Sequence, residues 1–478
     1  MDRFFNPSSI AIFGASASPG KAGYNITWNL RNAKVPNGIY PINPNRDKIL
    51  GFKAYASMDG IPASARPVDL TVICLPPRLV LETVKTCIHD GVKAIIIESG
   101  QIGETDTEHA QNTKALRQLL TSMKDPPRIM GPNSIGVVNM HNGVNTSLIP
   151  FESLPAPEPK GVAIAGQTGL IASGYLQRII AEKTFPVSKI CCLGNKLDVN
   201  ELDAIEYLAN DADTGVIAMY LENIKDGKRF LSLVRDCNSA KNKPIVLVKA
   251  GRTEAGAKAV QSHTESIAGD DRVFNAAVRA CGAVRVLNFE ELWAQSQFFS
   301  RAGLPQGNKI GVISITGAGC ALTVDAADMS KVATTPLPDR ARARLQEIYP
   351  SWFSFTNPVD LWAAIEQQGS TKAWSHAIQT LLESEYDAVV IVTLAMPESL
   401  LDWDHLERMR KAHPEKPIIF ALLGGHANMV AEWKELAARI GIPIVNSPDT
   451  AIQVLSRAWE LVRWRESYKG NIGDSGKR

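Results

Sequence analysis

Short apolar runs alternate with amphipathic stretches between Ser9 and Asn139. Runs of this length, bounded by Gly, Pro and Asn, predict buried strands, and the amphipathic stretches between them predict helices. Such an alternation is typical of a parallel, doubly wound sheet. The predicted strands are Ile10–Phe13, Gly38–Ile42, Leu70–Leu75, Ala94–Ile97 and Arg128–Met130.

The same alternation returns twice, each time after a spacer. Pro155–Lys160 is rich in Pro, and Gly303–Gly307 contains Gly and Pro, so both segments predict domain boundaries. We therefore predict the α/β class, with three successive doubly wound parallel-sheet domains at residues 1–150, 160–302 and 308–468.

Charge and cysteine content exclude several classes of protein. The 478 residues carry a formal net charge of +2, without a basic stripe or an acidic tail, so we expect neither nucleic acid nor a membrane as a partner. No apolar run is long enough to span a bilayer and no signal peptide is recognisable, which predicts a cytoplasmic protein. The seven cysteines contain no Cys-x-x-Cys pair, so we expect no disulfide framework and no protein-bound transition metal.

The turn after the first predicted strand has the composition of a phosphate cradle. It opens a helix, and backbone N–H groups at a helix N-terminus favour an anion. It is not the dinucleotide fingerprint, because Ser16 and Pro19 stand where the second and third Gly would be. Asn43 and Asn45 occupy the place of the carboxylate that binds a ribose hydroxyl in NAD sites, which favours a phosphorylated nucleotide.

Further Gly- or Pro-containing turns follow the other strands, so a nucleotide crevice is predicted at the carboxyl ends of the strands. The alternative interpretation of the first turn is a polar turn without a ligand. The candidate cofactor-binding residues are Gly14, Ala15, Ser16, Pro19, Gly20, Asn43, Asn45, Lys48, Pro76 and Asn133.

The second predicted domain carries the candidate chemistry. We interpret His263 as the chemical centre, on a predicted loop that follows the Ile245 strand. A neutral imidazole is a competent nucleophile toward phosphorus when a carboxylate holds its other ring nitrogen, and Glu222 is the candidate carboxylate. The alternative is that Glu222 belongs to a surface charge cluster. The predicted phosphate-binding residues, on neighbouring strand ends, are Gly166, Gln167, Thr168, Gly169 and Asn195. The third domain has no residue with an assigned chemical role.

Several motifs in this order resemble the α subunit, or the α-like half, of ADP-forming (NDP-forming) acyl-CoA synthetases, relatives of succinyl-CoA synthetase. The chain departs from the usual pattern at Gly166, Ser134, Glu265 and the pair Lys196-Leu197. The motifs are Ser9–Ser16, Tyr40–Asn45, Gly131–Asn133, Gly166–Gly169, Tyr220–Gly227, Ser262–Gly269 and Asn357–Asp360.

The resemblance implies a Rossmann-like CoA-binding domain followed by two flavodoxin-like domains, with His263 transiently phosphorylated and Glu222 as its partner. It further implies that acyl-CoA, phosphate and ADP are interconverted with a small carboxylic acid, CoA and ATP. ATP or ADP, with Mg²⁺, would bind to a separate ATP-grasp β subunit in a hetero-oligomer. A CoA-binding regulatory paralogue, an NAD-dependent oxidoreductase and a succinate- or citrate-type ligase are the alternatives.

Overall fold

The computed structural model describes residues 1–100, 106–264 and 269–475. It divides the chain into two compact units. The first contains residues 1–180 and 186–281, and the second contains residues 181–185 and 282–478. Three mostly parallel sheets confirm the predicted α/β class. In the part of the chain described, no helix is both long and apolar enough to cross a membrane.

The first sheet lies in the first unit and has five parallel strands in the order β2-β1-β5-β6-β7. The order reverses at β1, so a crevice opens at the carboxyl ends of β1 and β5. The strands of this part are β1 (Ile10–Phe13), β2 (Ile39–Ile42), the small antiparallel pair β3 (Lys48–Ile49) and β4 (Phe52–Lys53), β5 (Leu70–Ile73), β6 (Ala94–Ile97) and β7 (Arg128–Met130). The helices are α1 (Asp2–Phe5), α2 (Ala22–Leu30), α3 (Pro77–His89) and α4 (Asp106–Ser122).

Five strands of the second sheet continue the same unit, in the order β12-β11-β9-β10-β8. Strands β9 to β12 are mutually parallel, whereas β8 runs antiparallel to β10. The strands are β8 (Val137–Asn139), β9 (Gly161–Gly166), β10 (Val187–Cys192), β11 (Thr214–Leu221) and β12 (Ile245–Lys249). The helices are α5 (Leu176–Ala181), α6 (Glu201–Asn210), α7 (Gly227–Ser239), α8 (Glu254–Thr264) and α9 (Asp271–Cys281).

The second unit contains a sheet of five parallel strands in the order β15-β14-β16-β17-β18. Alternate residues of β14 belong to two different apolar clusters, so both faces of this sheet are covered. The strands of this unit are β13 (Val284–Val286), which is not part of this sheet, and β14 (Ile310–Ser314), β15 (Val359–Asp360), β16 (Ala388–Ala395), β17 (Ile418–Gly425) and β18 (Ile444–Val445). The helices are α10 (Phe289–Arg301), α11 (Gly317–Met329), α12 (Asp339–Gln346), α13 (Trp362–Gln368), α14 (Ser370–Leu382), α15 (Trp403–Ala412), α16 (Ala427–Ile440) and α17 (Pro448–Ser475).

One local prediction needs correction. The backbone of His263 lies in the last turn of α8 and not in a loop. Ala, Glu, Lys and Gln are strong helix formers, and they dominate this segment despite its Gly and Thr. The turn after β9 leads first into a π-helical segment, Ile171–Tyr175, and only then into α5. Single π-helical turns of this kind occur frequently at functional sites.

Candidate active site

The turn after β1 places the first candidate cofactor-binding residues at the point where the sheet order reverses. Gly14 has a φ of +82°, and a Cβ at this position would lie 2.5 Å from the carbonyl oxygen of Cys74, so only Gly fits. Ala15 is buried, and its carbonyl accepts a hydrogen bond of 2.8 Å from Nδ2 of Asn43. The turns after β1 and β2 therefore form one connected wall of the crevice.

The remaining candidates of the first sheet differ in position. Oδ1 of Asn43 accepts from the backbone N–H of Asn45 at 2.8 Å, and Oγ of Ser16 accepts from Ser18 N at 3.0 Å. Pro76 caps the N-terminus of α3 at the end of β5, next to the Gly14 turn. Pro19 and Gly20 are exposed on the far part of the first turn, and Lys48 is exposed on β3.

A carboxyl group that the sequence analysis passed over lies on the same edge. Glu98 follows β6 directly, is 7% exposed, and neither of its carboxyl oxygens has a hydrogen-bond partner. Burial raises the pKa of Glu98 well above its ordinary value. Its position at the end of a wholly apolar strand is the one sequence signal that could have revealed it. A buried carboxyl group without partners at a ligand crevice is a candidate functional group.

The carboxyl ends of β9 and β11 bring two of the predicted residues into contact. Gln167 Oε1 accepts from the backbone N–H of Glu222 at 3.0 Å, and Gln167 Nε2 lies 3.5 Å from Glu222 Oε2. Both residues are buried, at 7% and 5% exposed, so Glu222 is not part of a surface charge cluster. Burial and the adjacent Glu222 carboxylate raise the pKa of Tyr220 to about 12.

The rest of the turn after β9 is packed closely against its surroundings. A Cβ on Gly169 would lie 2.2 Å from Cδ1 of Ile135, and the Thr168 carbonyl faces the Cys192 thiol at 3.8 Å. Thr168 Oγ1 accepts from Leu170 N at 3.3 Å. The backbone carbonyl of Gly166 accepts from Leu193 N at 2.8 Å, which joins the ends of β9 and β10.

The two crevice edges adjoin within the first unit. The backbone N–H of Asn195 donates to the Pro132 carbonyl at 2.8 Å, and Asn133 lies against Gly194. Oδ1 of Asn195 is buried and has no hydrogen-bond partner. A predicted CoA residue, Asn133, and a predicted phosphate residue, Asn195, therefore share one junction.

The side chain of His263 lies outside the described part of the structure, as does Glu265. The contact between His263 and Glu222 therefore stays a prediction. Of the other predicted site residues, the structure brings together Gly14, Ala15 and Asn43 at the first sheet, and Gln167 with Glu222 at the second.

Sequence comparisons agree with this arrangement of two adjoining edges. Residues 8–140 match a family described as a CoA binding domain, and residues 159–299 match a succinyl-CoA ligase like flavodoxin domain. These two matches place the chain in the class of CoA-ligase-like α/β proteins, with a CoA-binding domain followed by a succinyl-CoA ligase-like flavodoxin domain.

Relatives that match nearly the whole of this chain identify its family more specifically. The chain is 36% identical to acetate–CoA ligase [ADP-forming] II of Archaeoglobus fulgidus, over 96% of this chain and 67% of the relative. It is 30% identical to the acetate–CoA ligase [ADP-forming] II subunit alpha of Pyrococcus furiosus, over 99% of both chains. The chain belongs to the ADP-forming acyl-CoA synthetase family.

A solved structure supports the same assignment. The dinucleotide forming acetyl-coenzyme A synthetase 1 of Ca. Korarchaeum cryptofilum, in complex with phosphate and ADP, superposes with a TM-score of 0.83 at 25% sequence identity. The superposition covers 97% of each chain.

Proposed function

We propose that this chain is the α subunit of an ADP-forming acyl-CoA synthetase that interconverts a small acyl-CoA, phosphate and ADP with the free acid, CoA and ATP. The observation that carries the proposal is the Gln167–Glu222 contact at the second sheet, beside the loop of Asn133 at the CoA-binding edge. A thioester held at one edge would thus lie next to a carboxylate and an amide at the other edge.

The proposed chemistry has three steps. A phosphate oxygen attacks the thioester carbonyl, the C–S bond breaks, and CoA leaves as the thiolate and takes up a proton. A ring nitrogen of His263 then attacks the phosphorus of the acyl phosphate, and the acid leaves as the carboxylate. Finally, the phosphoryl group passes from His263 to ADP. These displacements depend mainly on positioning and on neutralising charge.

The proposal assigns roles to candidate site residues of the second sheet. Glu222 holds the other ring nitrogen of His263 as the donor, so that the attacking nitrogen keeps its lone pair. Gln167 fixes Glu222 through the backbone N–H and the carboxylate oxygen. The backbone N–H groups of Thr168 and Gly169, with the Asn195 amide, receive the phosphate.

We propose a separate ATP-grasp β subunit as the site of the nucleotide, and acetate as the first acid to test. The support is that relatives named subunit alpha match this chain over 99% of their length, and that relatives without a subunit name are longer, with 63% to 67% of their length covered.

Phosphate labelling tests the proposal. The chain is incubated with its co-purified partner and ATP labelled at the γ-phosphate, and acid-labile, base-stable phosphate is mapped by peptide analysis. We expect label at residue 263, loss of label in H263N, and at least about 100-fold slower labelling in E222Q, because general-base partners contribute 10²- to 10⁴-fold.

A matched histidine serves as the control. His89 is exposed at the end of α3, and H89N is expected to be labelled at the wild-type rate. A chain that binds CoA but never acquires label in the presence of its partner would instead be a regulatory CoA-binding protein. Calorimetric titration with CoA and with NAD completes the test, and binding of NAD alone would overturn the assignment.

A further inference from the structure

The turn after β10 contains a buried ammonium group that the proposed steps do not use. Lys196 is 1% exposed, and its Nζ donates to Glu201 Oε2 at 2.7 Å and to the Asn223 carbonyl at 3.0 Å. It also donates to Asn223 Oδ1. Its backbone has a φ of +55°, in the left-handed region that non-Gly residues rarely adopt. A left-handed backbone and a buried cation are both costly for stability, and costly features of this kind cluster at functional sites.

The partners of Lys196 surround the segment that carries Glu222. Asn223 follows Glu222 directly, and Glu201 Oε1 accepts from the backbone N–H of Lys225 at 2.8 Å. On the other side, Gln167 holds the backbone N–H of Glu222. The Lys196–Glu201 pair and Gln167 therefore fix the Glu222 segment from both ends.

The same turn is bonded to the CoA-binding edge. The backbone N–H groups on either side of Lys196, those of Asn195 and Leu197, donate to the carbonyls of Pro132 and Gly131 at 2.8 and 3.0 Å. Lys196 thus lies between the loop of Asn133 and the loop of Glu222. Hydrogen bonds of this one residue and its two neighbours therefore join both loops.

The charge of Lys196 also links this residue to Glu222. Burial lowers the pKa of Lys196, while the carboxylates of Glu201 and Glu222 oppose that shift, so the Lys196 charge acts on Glu222 as well as on its bonded partner.

We propose that Lys196 is a positioning residue for phosphoryl transfer, whose ammonium holds the Glu222 segment and whose backbone ties that segment to the CoA-binding edge. The inference rests on the proposed function, since it assigns Lys196 a role through Glu222. It goes beyond that function because the proposed steps assign no role to Lys196.

A buried ion pair can also be only structural, and a double variant separates the two roles. K196M alone leaves the Glu201 carboxylate buried and unpaired, which destabilises the fold for reasons unrelated to chemistry. K196M/E201Q removes both charges and keeps an acceptor oxygen for Lys225 N–H. Removing both partners of a buried pair is often nearly neutral for stability.

The chain offers a matched control pair at the opposite edge of the same sheet. Lys189 of β10 is 2% exposed and bonds Asp211 at 2.7 Å, just before β11 begins. Lys189 also bonds the more exposed Asp213 at 3.2 Å. K189M/D211N therefore removes a pair that is 2% and 11% exposed, away from the carboxyl ends of the strands, and leaves Asp213 accessible to solvent. It is expected to retain wild-type turnover.

The experiment uses the full chain in complex with its partner and acetyl-CoA, phosphate and ADP as substrates. For K196M/E201Q we expect an unfolding midpoint and a CoA affinity close to those of the control pair, an acetyl-CoA KM near the wild-type value, and kcat lowered about 10- to 100-fold, the range expected for misplaced reacting groups. Labelling of His263 should slow by the same factor.

Turnover equal to that of K189M/D211N would overturn the inference and leave a structural ion pair. Failure of the proposed function has a different signature: wild type and H263N would then both lack label. A wild type that is labelled together with an unimpaired K196M/E201Q refutes only the role of Lys196.

Discussion

Glu98 gives stability a pH dependence that can be assigned to one side chain. Below the ordinary carboxyl pKa of 4.5, Glu98 is protonated in both the folded and the unfolded chain. Above it, the unfolded chain loses the proton while the folded chain keeps it, so stability falls as pH rises toward the raised pKa of Glu98. E98Q cannot titrate. We expect the unfolding free energy of wild type to drop relative to E98Q by about 1.4 kcal/mol per pH unit within this window.

Chemical denaturation at a series of pH values checks this expectation. E158Q is the control, because Glu158 is exposed in the spacer after residue 154, and its difference from wild type should not change with pH. A constant difference between wild type and E98Q across the window would show that the carboxyl group ionises freely in the folded chain.

At the residue scale, the sequence predicted which residues lie together at the ends of adjacent strands. It did not reveal the charged side chains that the fold buries. Placing Gln167 and Glu222 at the ends of parallel strands predicted that they lie on one edge, and the structure shows these strands as neighbours and the two residues in contact. Glu98 was missed because its one sequence signal, a position directly after an apolar strand, does not show that the carboxyl group is buried. A charged residue is normally exposed, so the burial of Lys196 is likewise revealed only by the fold.

At the scale of the elements, the contact between the turn after β10 and the loop of Asn133 depends on the absence of a side chain at Gly194. Its φ is +59°, and a Cβ there would lie 2.2 Å from the Pro132 carbonyl oxygen, where the two crevice edges meet. We expect G194A to destabilise the first unit by about 2 kcal/mol or more, from the left-handed backbone and the steric overlap together. CoA affinity, measured by calorimetry, should fall as well because Asn133 must move.

Gly174 is the control for that substitution. It is exposed in the π-helical segment, and a Cβ there has no atom within 4 Å. G174A is expected to leave stability unchanged or to raise it by up to about 1 kcal/mol, as for Gly to Ala in a helix. Equal denaturation midpoints for the two variants would refute the close contact at Gly194.

Most elements were predictable because buried strands have a strong local signal. The runs Ile10–Phe13 and Ala94–Ile97 are strands with the predicted bounds. One feature was not local. The strand β8 pairs antiparallel with β10, although it precedes the Pro-rich spacer, because pairing depends on distant backbone groups. The helix α8 was missed for a different reason: Gly and Thr in Glu254–Thr264 favoured a loop in the sequence prediction, although helix formers dominate the segment.

At the scale of the whole molecule, the two compact units contain very different numbers of tryptophans. Of nine tryptophans, only Trp28 belongs to the first unit, which leaves eight in the second. Both units contain helices and strands, so circular dichroism reports on both. Tryptophan fluorescence reports mainly on the second unit.

This distribution allows ligand binding to be assigned to one unit. CoA binds the folded state of the first unit in the proposed function, and a ligand at 100 times its Kd adds about 2.7 kcal/mol of stability. We expect saturating CoA to raise the unfolding midpoint measured by circular dichroism. It should also raise the midpoint measured by Trp28 fluorescence in a variant whose other tryptophans are replaced by Phe. The fluorescence midpoint of W28F, which reports the second unit alone, should stay constant. An equal shift of the circular dichroism midpoint and the W28F fluorescence midpoint would instead mean that the units unfold as one cooperative body. A shift confined to the W28F fluorescence midpoint would place CoA on the second unit.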